Sequence, residues 1–385
     1  MPPKILIVDD EPDLEVLIRQ RFRRQAREGN YDFTFARNGE EALRVIAGGP
    51  GIELVLSDIN MPVMDGLTLL SHLRDLRPRL GAVIVSAYGD MRNIRTAMNL
   101  GALDFLTKPI DFQDFEVTVD KTLRQVNELR QADADRDHLV AVERDLKTAG
   151  EIQQSFLPLS LEPSGACDLH ALMLPARAVG GDFYDYFWLD AERLGLVIGD
   201  VSGKGVPAAL FMAVTRTLLR ATARTESDPG ACLGRVSRQL LQDSTSSLFV
   251  SLSYGILDTS SGWLRYTVGG HPWPYLLRAG GEVQPLEGRG ILVGVMKDAV
   301  YETWEQRLSP GDFLFLYTDG VTEARNATGE FFSSDRLESA LRRADRSSPE
   351  TLVREVIDEV KRFAGQVPQS DDITALAVHY RGAAL

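Results

Sequence analysis

The sequence predicts an α/β doubly wound five-stranded parallel domain, a helical linker and an α+β layered β-sandwich domain. Residues 1–110 alternate short apolar runs with helical patterns, whereas residues 112–156 are densely charged, lack proline and contain a single glycine. Residues 157–385 carry many short apolar runs that are broken by Gly, Pro and Asp. At roughly 100–200 residues per domain, a chain of 385 residues corresponds to two or three domains. We predict their bounds at 1–125, 126–156 and 157–385.

Short apolar runs in the first part of the chain are predicted strands. Helical patterns lie between them, as in Leu14–Arg27, whose apolar residues recur at helical spacing. Strands that alternate with helices predict a parallel sheet, because each crossover needs a helix. In such a sheet, ligands bind beyond the C-terminal ends of the strands. The predicted strands are Ile5–Val8, Tyr31–Ala36, Leu54–Leu56, Ala82–Val85 and Leu103–Leu106.

The charged segment 112–156 is predicted to be one long helix or a helix pair. An apolar seam at heptad spacing begins at Leu139 and ends just before the third domain. Such a seam favours a coiled coil and a homodimer through the linker. Because the seam covers less than three heptads, one amphipathic helix docked on its own domain is an equally good interpretation. The seam residues are Leu139, Val142, Leu146 and Ala149, followed by Gln153 and Phe156.

The third part is predicted to contain many strands and two longer helices. Strand runs with few helices indicate a layered domain, with a sandwich of sheets and helices outside. The predicted helices are Pro207–Ala223 and Pro349–Phe363. The predicted strands include Leu194–Ile198, Phe249–Leu257, Leu264–Val268, Tyr275–Leu277, Phe313–Tyr317 and Ile373–Val378.

Composition narrows the function classes. The net charge is −13, so the chain is repelled by nucleic-acid backbones and anionic membranes, and neither is an expected partner. The two cysteines, Cys167 and Cys232, form no metal-binding pattern and fit a reducing cytoplasm. The N-terminal apolar run is too short for a signal peptide or a membrane span, and no uncharged run approaches about 18 residues. We therefore predict a soluble, cytoplasmic protein.

Polar side chains follow four of the predicted strands in the first domain. Asp9 and Asp10 end the first, Asp58 the third, Ser86 the fourth and Lys108 the fifth. These groups are therefore expected at one edge of the sheet. Clustered carboxylates need a divalent cation, and hard oxygen ligands favour Mg²⁺. One of the clustered carboxylates could then accept a phosphoryl group. An isolated aspartate at the end of one strand would instead be explained as a turn residue or a helix cap.

These residues carry a resemblance to the two-component receiver family over about residues 1–125. The matching motifs are V-D-D-E-P, D-I-N-M-P-x-M-D-G, S-A and K-P. The resemblance implies phosphorylation of Asp58 by a cognate histidine kinase. It also implies Mg²⁺ held by Asp10, Asp58 and the Asn60 carbonyl, with Asp9 supporting the metal indirectly. It further implies that Ser86 and Lys108 bind the phosphoryl group and that Phe105 is an aromatic switch residue. A cis peptide bond before Pro109 is expected on the same ground.

Four acidic segments in the third part form a second candidate site. Each one alone could be an ordinary Asp-Gly turn, and G-D-V-S-G-K-G fails the spacing of a Walker phosphate loop. Together, aspartates without nitrogen or sulfur partners select Mg²⁺ or Mn²⁺, and two such ions activate water for phosphate-ester hydrolysis. The segments are G-G-D-F-Y-D at 180–185, G-D-V-S-G-K-G at 199–205, T-D-G-V at 318–321 and S-D-D-I-T at 370–374.

With the preceding A-x-E-I-Q-Q-S-F-L-P, these segments resemble the bacterial branch of the PPM phosphatases over about residues 143–380. The resemblance implies that Asp200 bridges two metals, with Asp182 and the Val201 carbonyl on one ion. Asp319 and Asp371 would hold the other, and Asp372 is the weaker candidate of its pair. Arg177 would bind the substrate phosphate. His271, in G-G-H-P, fits the same branch and is expected to be structural rather than a general acid.

Two functions from different classes follow. The leading one is a response regulator whose phosphorylation controls a metal-dependent Ser/Thr phosphoprotein phosphatase. By resemblance, its substrate would be a phosphorylated anti-anti-sigma factor, a STAS domain. The rival is a receiver-gated adaptor that binds a sigma-factor regulator without turnover. Such an adaptor has no use for the four metal-binding aspartates Asp182, Asp200, Asp319 and Asp371. A transcription factor is disfavoured because no basic recognition helix is present.

Overall fold

The chain folds into two compact units, Met1–Ala141 and Val142–Leu385. The computed structural model describes residues 2–49, 51–77, 79–87, 90–158, 165–243 and 247–382. Among the described helices, none is both long and apolar enough to cross a membrane. The predicted bounds at 125 and 156 differ from this division, because one uninterrupted helix, α6 (Phe112–Phe156), runs from the first unit into the second.

The first unit is the predicted five-stranded parallel sheet. Its strand order is β2-β1-β3-β4-β5, and every pairing is parallel. The order reverses beside β1, as in doubly wound folds that bind ligands at this edge. The strands are β1 (Lys4–Val8), β2 (Asp32–Ala36), β3 (Ile52–Asp58), β4 (Gly81–Ala87) and β5 (Asp104–Lys108). The helices between them are α1 (Pro12–Arg21), α2 (Arg23–Arg27), α3 (Gly39–Ala47), α4 (Gly66–Leu76) and α5 (Met91–Asn99).

The sheet of the first unit buries both faces. Successive strand residues point to opposite sides, so Ile5 and Ile7 join one core cluster while Leu6 and Val8 join another. The first cluster also contains Phe115, Val119 and Leu123 of α6, whose spacing of four residues keeps them on one helix face. The start of α6 is therefore an integral part of this unit.

The predicted seam lies further along α6. Leu139 is 67% exposed and Val142 is 40% exposed, whereas Leu146 and Ala149 are half-buried. Gln153 is buried, and Phe156 is exposed. An exposed apolar start to the seam is compatible with a second helix pairing there, and the coiled coil remains a prediction.

The second unit is a sandwich of two antiparallel sheets. Their strand orders are β13-β10-β9-β8-β7 and β12-β11-β14-β15-β6. One core cluster contains Leu196 and Ile198 of the first sheet with Leu314 and Leu376 of the second, so the sheets pack face to face. The strands are β6 (Cys167–Leu174), β7 (Phe183–Trp188), β8 (Arg193–Val201), β9 (Val250–Asp258), β10 (Trp263–Gly269), β11 (Tyr275–Leu277), β12 (Val283–Pro285), β13 (Trp304–Arg307), β14 (Phe313–Tyr317) and β15 (Ile373–Tyr380).

Helices cover the sandwich on the outside, which confirms the layered prediction. The sequence analysis found α7 (Val206–Ala223) and α11 (Pro349–Ala364) but missed α8 (Pro229–Asp243) and α10 (Ser333–Arg343). Two glycines interrupt the apolar pattern of α8, and α10 buries only a narrow stripe at Leu337, Ala340 and Leu341. A one-turn helix, α9 (Asp319–Thr322), was missed as well.

Candidate functional site

An acidic cluster lies at the C-terminal edge of the first unit's sheet. Carboxylate oxygens of Asp9, Asp10 and Asp58 lie within 4.8 Å of one another. Asp9 and Asp58 are buried, and burial raises the pKa of Asp9. Asp9 and Asp10 directly follow β1, and Asp58 is the last residue of β3, so adjacent parallel strands bring them together.

Lys108, the last residue of β5, reaches into this cluster. Its Nζ lies 2.7 Å from Asp58 Oδ2, 3.0 Å from Asp9 Oδ2 and 3.1 Å from Glu11 Oε1. Burial disfavours the charge of Lys108, yet its hydrogen bonds to these carboxylates raise its pKa. The lysine therefore stays positively charged beside Asp58.

The other predicted receiver residues lie around this edge. Ser86, in β4, is fully buried, and within the described part of the chain its hydroxyl has no hydrogen-bond partner. Phe105, in β5, is 38% exposed, and Asn60 is exposed in the turn that follows β3. The peptide bond between Lys108 and Pro109 is cis, as the sequence analysis expected.

Asp182 lies at the centre of the second site. It directly precedes β7 and is buried. Its Oδ2 accepts hydrogen bonds from the hydroxyls of Thr318 and Thr374, both at 2.7 Å. Thr318 follows β14 and Thr374 lies in β15, so Asp182 joins the edges of the two sheets.

Asp200, Asp319 and Asp371 face the same region. Asp200 lies near the end of β8, Asp319 begins α9, and Asp371 precedes β15. Burial raises the pKa of Asp200 to about 7, and the charges of Asp319 and Asp371 add to this rise. Burial also raises the pKa values of Asp319 and Asp182, with Asp200 contributing to the latter. Carboxylates in this arrangement repel one another, which a bound cation would relieve.

The two acidic sites differ in spacing. Among the described residues, three carboxylate oxygens come within 4.8 Å of one another only at Asp9, Asp10 and Asp58. The aspartates of the second unit therefore form a wider ring than the cluster in the first unit.

Two glycines allow the segments of the ring to approach one another. A Cβ atom on Gly181 would lie 2.8 Å from the Val201 carbonyl oxygen, and one on Gly320 would lie 1.9 Å from the Asp372 carbonyl oxygen. Neither position has room for a side chain. The G-G-D and D-G motifs are thus explained by close backbone contacts rather than by turns alone.

Asp372 has a different role from the other aspartates. Its Oδ1 accepts a hydrogen bond from the Ala176 amide at 2.7 Å, and its Oδ2 accepts one from the Gly181 amide at 2.7 Å. Because both oxygens are bound to backbone amides, Asp372 holds the turn before Asp182. The sequence analysis included it among the metal ligands as the weaker candidate of its pair with Asp371, and that assignment stays a prediction.

Arg177 and His271 lie in contrasting surroundings. Arg177 is exposed in the turn that Asp372 holds. His271 is buried, its Nδ1 lies 2.9 Å from Ser251 Oγ, and burial lowers its pKa to about 3. A neutral, buried imidazole is compatible with the structural role expected for His271 from the sequence, and that role stays a prediction.

Sequence reasoning missed two contacts at the ring. The sequence analysis gave a role to the aspartate of G-D-V-S-G-K-G but none to its lysine, Lys204, whose Nζ lies 3.0 Å from Asp371 Oδ2. The side chain of Gln153, in α6, donates to the Gly180 carbonyl at 2.6 Å and accepts from the Gly180 amide at 3.0 Å. Polar Gln153 in an otherwise apolar seam was the signal for the second contact.

Comparison with known proteins agrees with this geometry. Residues 5–120 match the response regulator receiver domain, and residues 190–381 match stage II sporulation protein E. Sporulation initiation phosphotransferase F of Bacillus subtilis is 32% identical over 123 residues, which cover 32% of this chain and 95% of that protein. Phosphoserine phosphatase RsbU of the same organism is 28% identical over 238 residues, which cover 62% of this chain and 70% of that protein.

A solved structure with a similar fold is the SiaA-PP2C domain of Pseudomonas aeruginosa. It has a TM-score of 0.57 and 26% identity, and the match covers 63% of this chain and 98% of that domain. The chain spans only 41% of the length of protein IcfG of Synechocystis sp., to which it is 33% identical over 264 residues. The chain therefore belongs to the two-component response regulators, and its receiver domain is fused to a PPM-type phosphatase domain of the stage II sporulation protein E family.

Proposed function

We propose that the protein is a metal-dependent Ser/Thr phosphoprotein phosphatase whose activity is controlled by phosphorylation of Asp58. The observation that carries this proposal is the ring formed by four aspartates from separate segments: Asp182, Asp200, Asp319 and Asp371. Burial and neighbouring carboxylates raise the pKa values of the first three. Carboxylates that repel one another lower the stability of the fold, and a cation bound among the four aspartates would remove that repulsion. An adaptor that only binds a partner gains nothing from it.

The ring has the donor set for two Mn²⁺ or Mg²⁺ ions, since its ligands are all oxygen atoms. In this proposal Asp200 lies between the two positions, Asp182 and the Val201 carbonyl serve one, and Asp319 and Asp371 serve the other. When bound, the ions would supply a water of lowered pKa and neutralise phosphoryl charge.

The receiver cluster has the donor set for one Mg²⁺ ion. We propose that Asp10, Asp58 and the Asn60 carbonyl hold it, with Asp9 acting indirectly. Its chemistry would be to neutralise the incoming phosphoryl group while the Asp58 carboxylate accepts it. Ser86 and Lys108 would hold the phosphoryl oxygens, and Phe105 would respond to their movement.

The remaining roles in the phosphatase domain belong to this chain's own side chains. Thr318 and Thr374 hold Asp182 Oδ2, which fixes the orientation of that carboxylate. Arg177 is exposed beside the turn that leads to Asp182, where a guanidinium could bind two phosphate oxygens. We assign no general acid, because neutral His271 is buried in the core.

The proposed partners follow from the similarity to RsbU and to the receiver family. We propose that the substrate is a phosphoserine-bearing anti-anti-sigma factor, a STAS domain. We also propose that a cognate histidine kinase donates the phosphoryl group to Asp58. We place the protein in the cytoplasm, since both cysteines are free and buried, as in proteins of reducing compartments.

The direct test is a phosphatase assay on the purified full-length chain. Candidate phosphoproteins are incubated with Mn²⁺ or with EDTA, each with and without acetyl phosphate. Release of phosphate that needs Mn²⁺ and changes with acetyl phosphate supports the proposal. Binding of a phosphoprotein without turnover in Mn²⁺ would instead favour the receiver-gated adaptor.

Phosphorylation is expected at Asp58 alone. Incubation with acetyl phosphate and Mg²⁺ should add one phosphate to the wild type and none to Asp58→Ala, because the nucleophilic carboxylate is lost. The control is Asp75→Ala, which removes an exposed carboxylate of α4 and should be labelled like the wild type. Intact-mass spectrometry measures the incorporation. Equal labelling of Asp58→Ala would move the acceptor to another residue.

Control of the phosphatase is proposed to act through α6. Its C-terminal part forms the paired hydrogen bonds of Gln153 with Gly180, two residues before Asp182. A rotation of this helix would therefore move the backbone next to a proposed metal ligand. We propose that the seam pairs in a homodimer and that phosphorylation of Asp58 changes the pairing and increases activity. Allosteric coupling typically changes an equilibrium by about 5–150-fold.

Leu146→Asp should weaken both dimerisation and control, because it places a charge in the proposed apolar interface. The matched control is Val140→Asp, on the same helix but outside the seam, where the side chain is 58% exposed. Sedimentation and phosphatase assays with and without acetyl phosphate measure the two effects. A Leu146→Asp variant that stays dimeric and responsive would show that the helix is a passive tether.

A further inference from the structure

Lys204 is a cation placed inside the proposed metal ring. Its Nζ lies 3.0 Å from Asp371 Oδ2 and also donates a hydrogen bond to the Ser370 carbonyl. Within the described parts of the chain, no other lysine or arginine forms an ion pair with a proposed metal ligand of this ring. The side chains of Lys204 and Asp371 are 40% and 37% exposed, so solvent ions can reach both.

The local backbone fixes the position of this lysine. Gly203 and Gly205 flank it with φ angles of 88° and 77°, a region that glycine adopts without strain. The loop leads directly from Asp200, at the end of β8, to the start of α7. The same loop therefore carries a proposed metal ligand and a cation directed at another.

An ammonium group and a divalent cation compete for the same carboxylate oxygen. We propose that Lys204 is a displaceable counter-ion: it neutralises Asp371 while the adjacent metal position is empty, and it must leave before a divalent cation binds there. This inference rests on the proposed function, because it takes Asp371 as a metal ligand. The inference adds that Lys204 raises the metal concentration that is needed to fill the ring.

Loss of the Lys204 charge should lower the stability of the metal-free protein but raise its affinity for metal. Without metal, Lys204 offsets repulsion among the aspartates, so its loss should destabilise the metal-free protein. With metal, the lysine has to be displaced and its charge still repels the ion, so its loss should tighten binding. A unit charge acting on a divalent ion over several ångströms in a partly solvated site should change the affinity on the order of tenfold.

The test is a Mn²⁺ titration of the full-length chain followed by electron paramagnetic resonance of free Mn²⁺. All proteins carry Asp10→Ala, which removes a proposed ligand of the receiver site. Lys204→Met keeps the length of the side chain and removes its charge, and should lower the Mn²⁺ dissociation constant about tenfold. Lys204→Arg keeps the charge, and Lys297→Met removes an exposed charge elsewhere in the unit. Both should bind Mn²⁺ like the parent.

Thermal unfolding provides the second readout. Lys204→Met should unfold at a lower temperature than the parent in EDTA, and the difference should disappear in saturating Mn²⁺. Unchanged or weaker Mn²⁺ binding by Lys204→Met, with normal binding by the parent, would overturn this inference alone. A parent protein that binds no Mn²⁺ would overturn the proposed function and this inference together.

Discussion

Asp200→Ala is expected to lower kcat on a phosphoprotein by on the order of 10³ or more, because it removes the ligand proposed to lie between both metal positions. The fold should not suffer. Burial and two neighbouring aspartates raise the pKa of Asp200 to about 7, so this carboxylate is held in an unfavourable environment. Its removal relieves repulsion, and the melting temperature in EDTA should stay the same or rise.

Steady-state assays and thermal unfolding on the same preparations separate the two effects. The control is Asp190→Ala, which removes an exposed carboxylate of the turn before β8 that pairs with Arg193. It should keep wild-type activity. If Asp200→Ala or an EDTA-treated wild type hydrolyses the phosphoprotein at a near-normal rate, the two-metal proposal is wrong.

Arg216→Met is expected to be the most destabilising of the changes considered, by about 3–5 kcal/mol. Asp185, in β7, is 1% exposed, and Arg216 of α7 lies 3.1 Å from its Oδ2. Arg220 is more distant, at 3.5 Å. Burial raises the pKa of Asp185 despite both arginines, so the two arginines offset only part of the desolvation of the carboxylate. Removing the nearer arginine leaves a buried charge without adequate compensation.

Differential scanning calorimetry measures this effect. For a unit of this size, the expected loss corresponds to a fall in Tm of about 6–15 °C. The matched control is Arg235→Met, which breaks a looser pair with Glu226 at 3.8 Å and should cost about 1 kcal/mol or less. Adding Asp185→Asn to Arg216→Met should restore part of the stability. If Arg216→Met is no more harmful than Arg235→Met, the buried ion pair does not hold α7 against the sheet.

The fold of the first unit and the location of its site could be predicted because the relevant signals are local. Apolar runs alternate with helical patterns, and four of the five predicted strands end at polar residues such as Asp58 or Lys108. Parallel pairing then brings all strand ends to one edge, whatever the details of packing. The helices α8 and α10 escaped prediction because interrupted or narrow apolar stripes are stabilised by the sheet they cover, not by local periodicity.

The sequence by itself determined the two classes of domain, the long helix between them and the identity of the acidic segments, since each depends on neighbouring residues. Only the tertiary structure decided how those segments are used. Gly181 and Asp372 meet across 191 positions, Lys204 and Asp371 across 167, and Gln153 and Gly180 across 27. Contacts between distant segments arise when two sheets pack face to face, and no local pattern specifies which carboxylate then meets an amide, a lysine or open space.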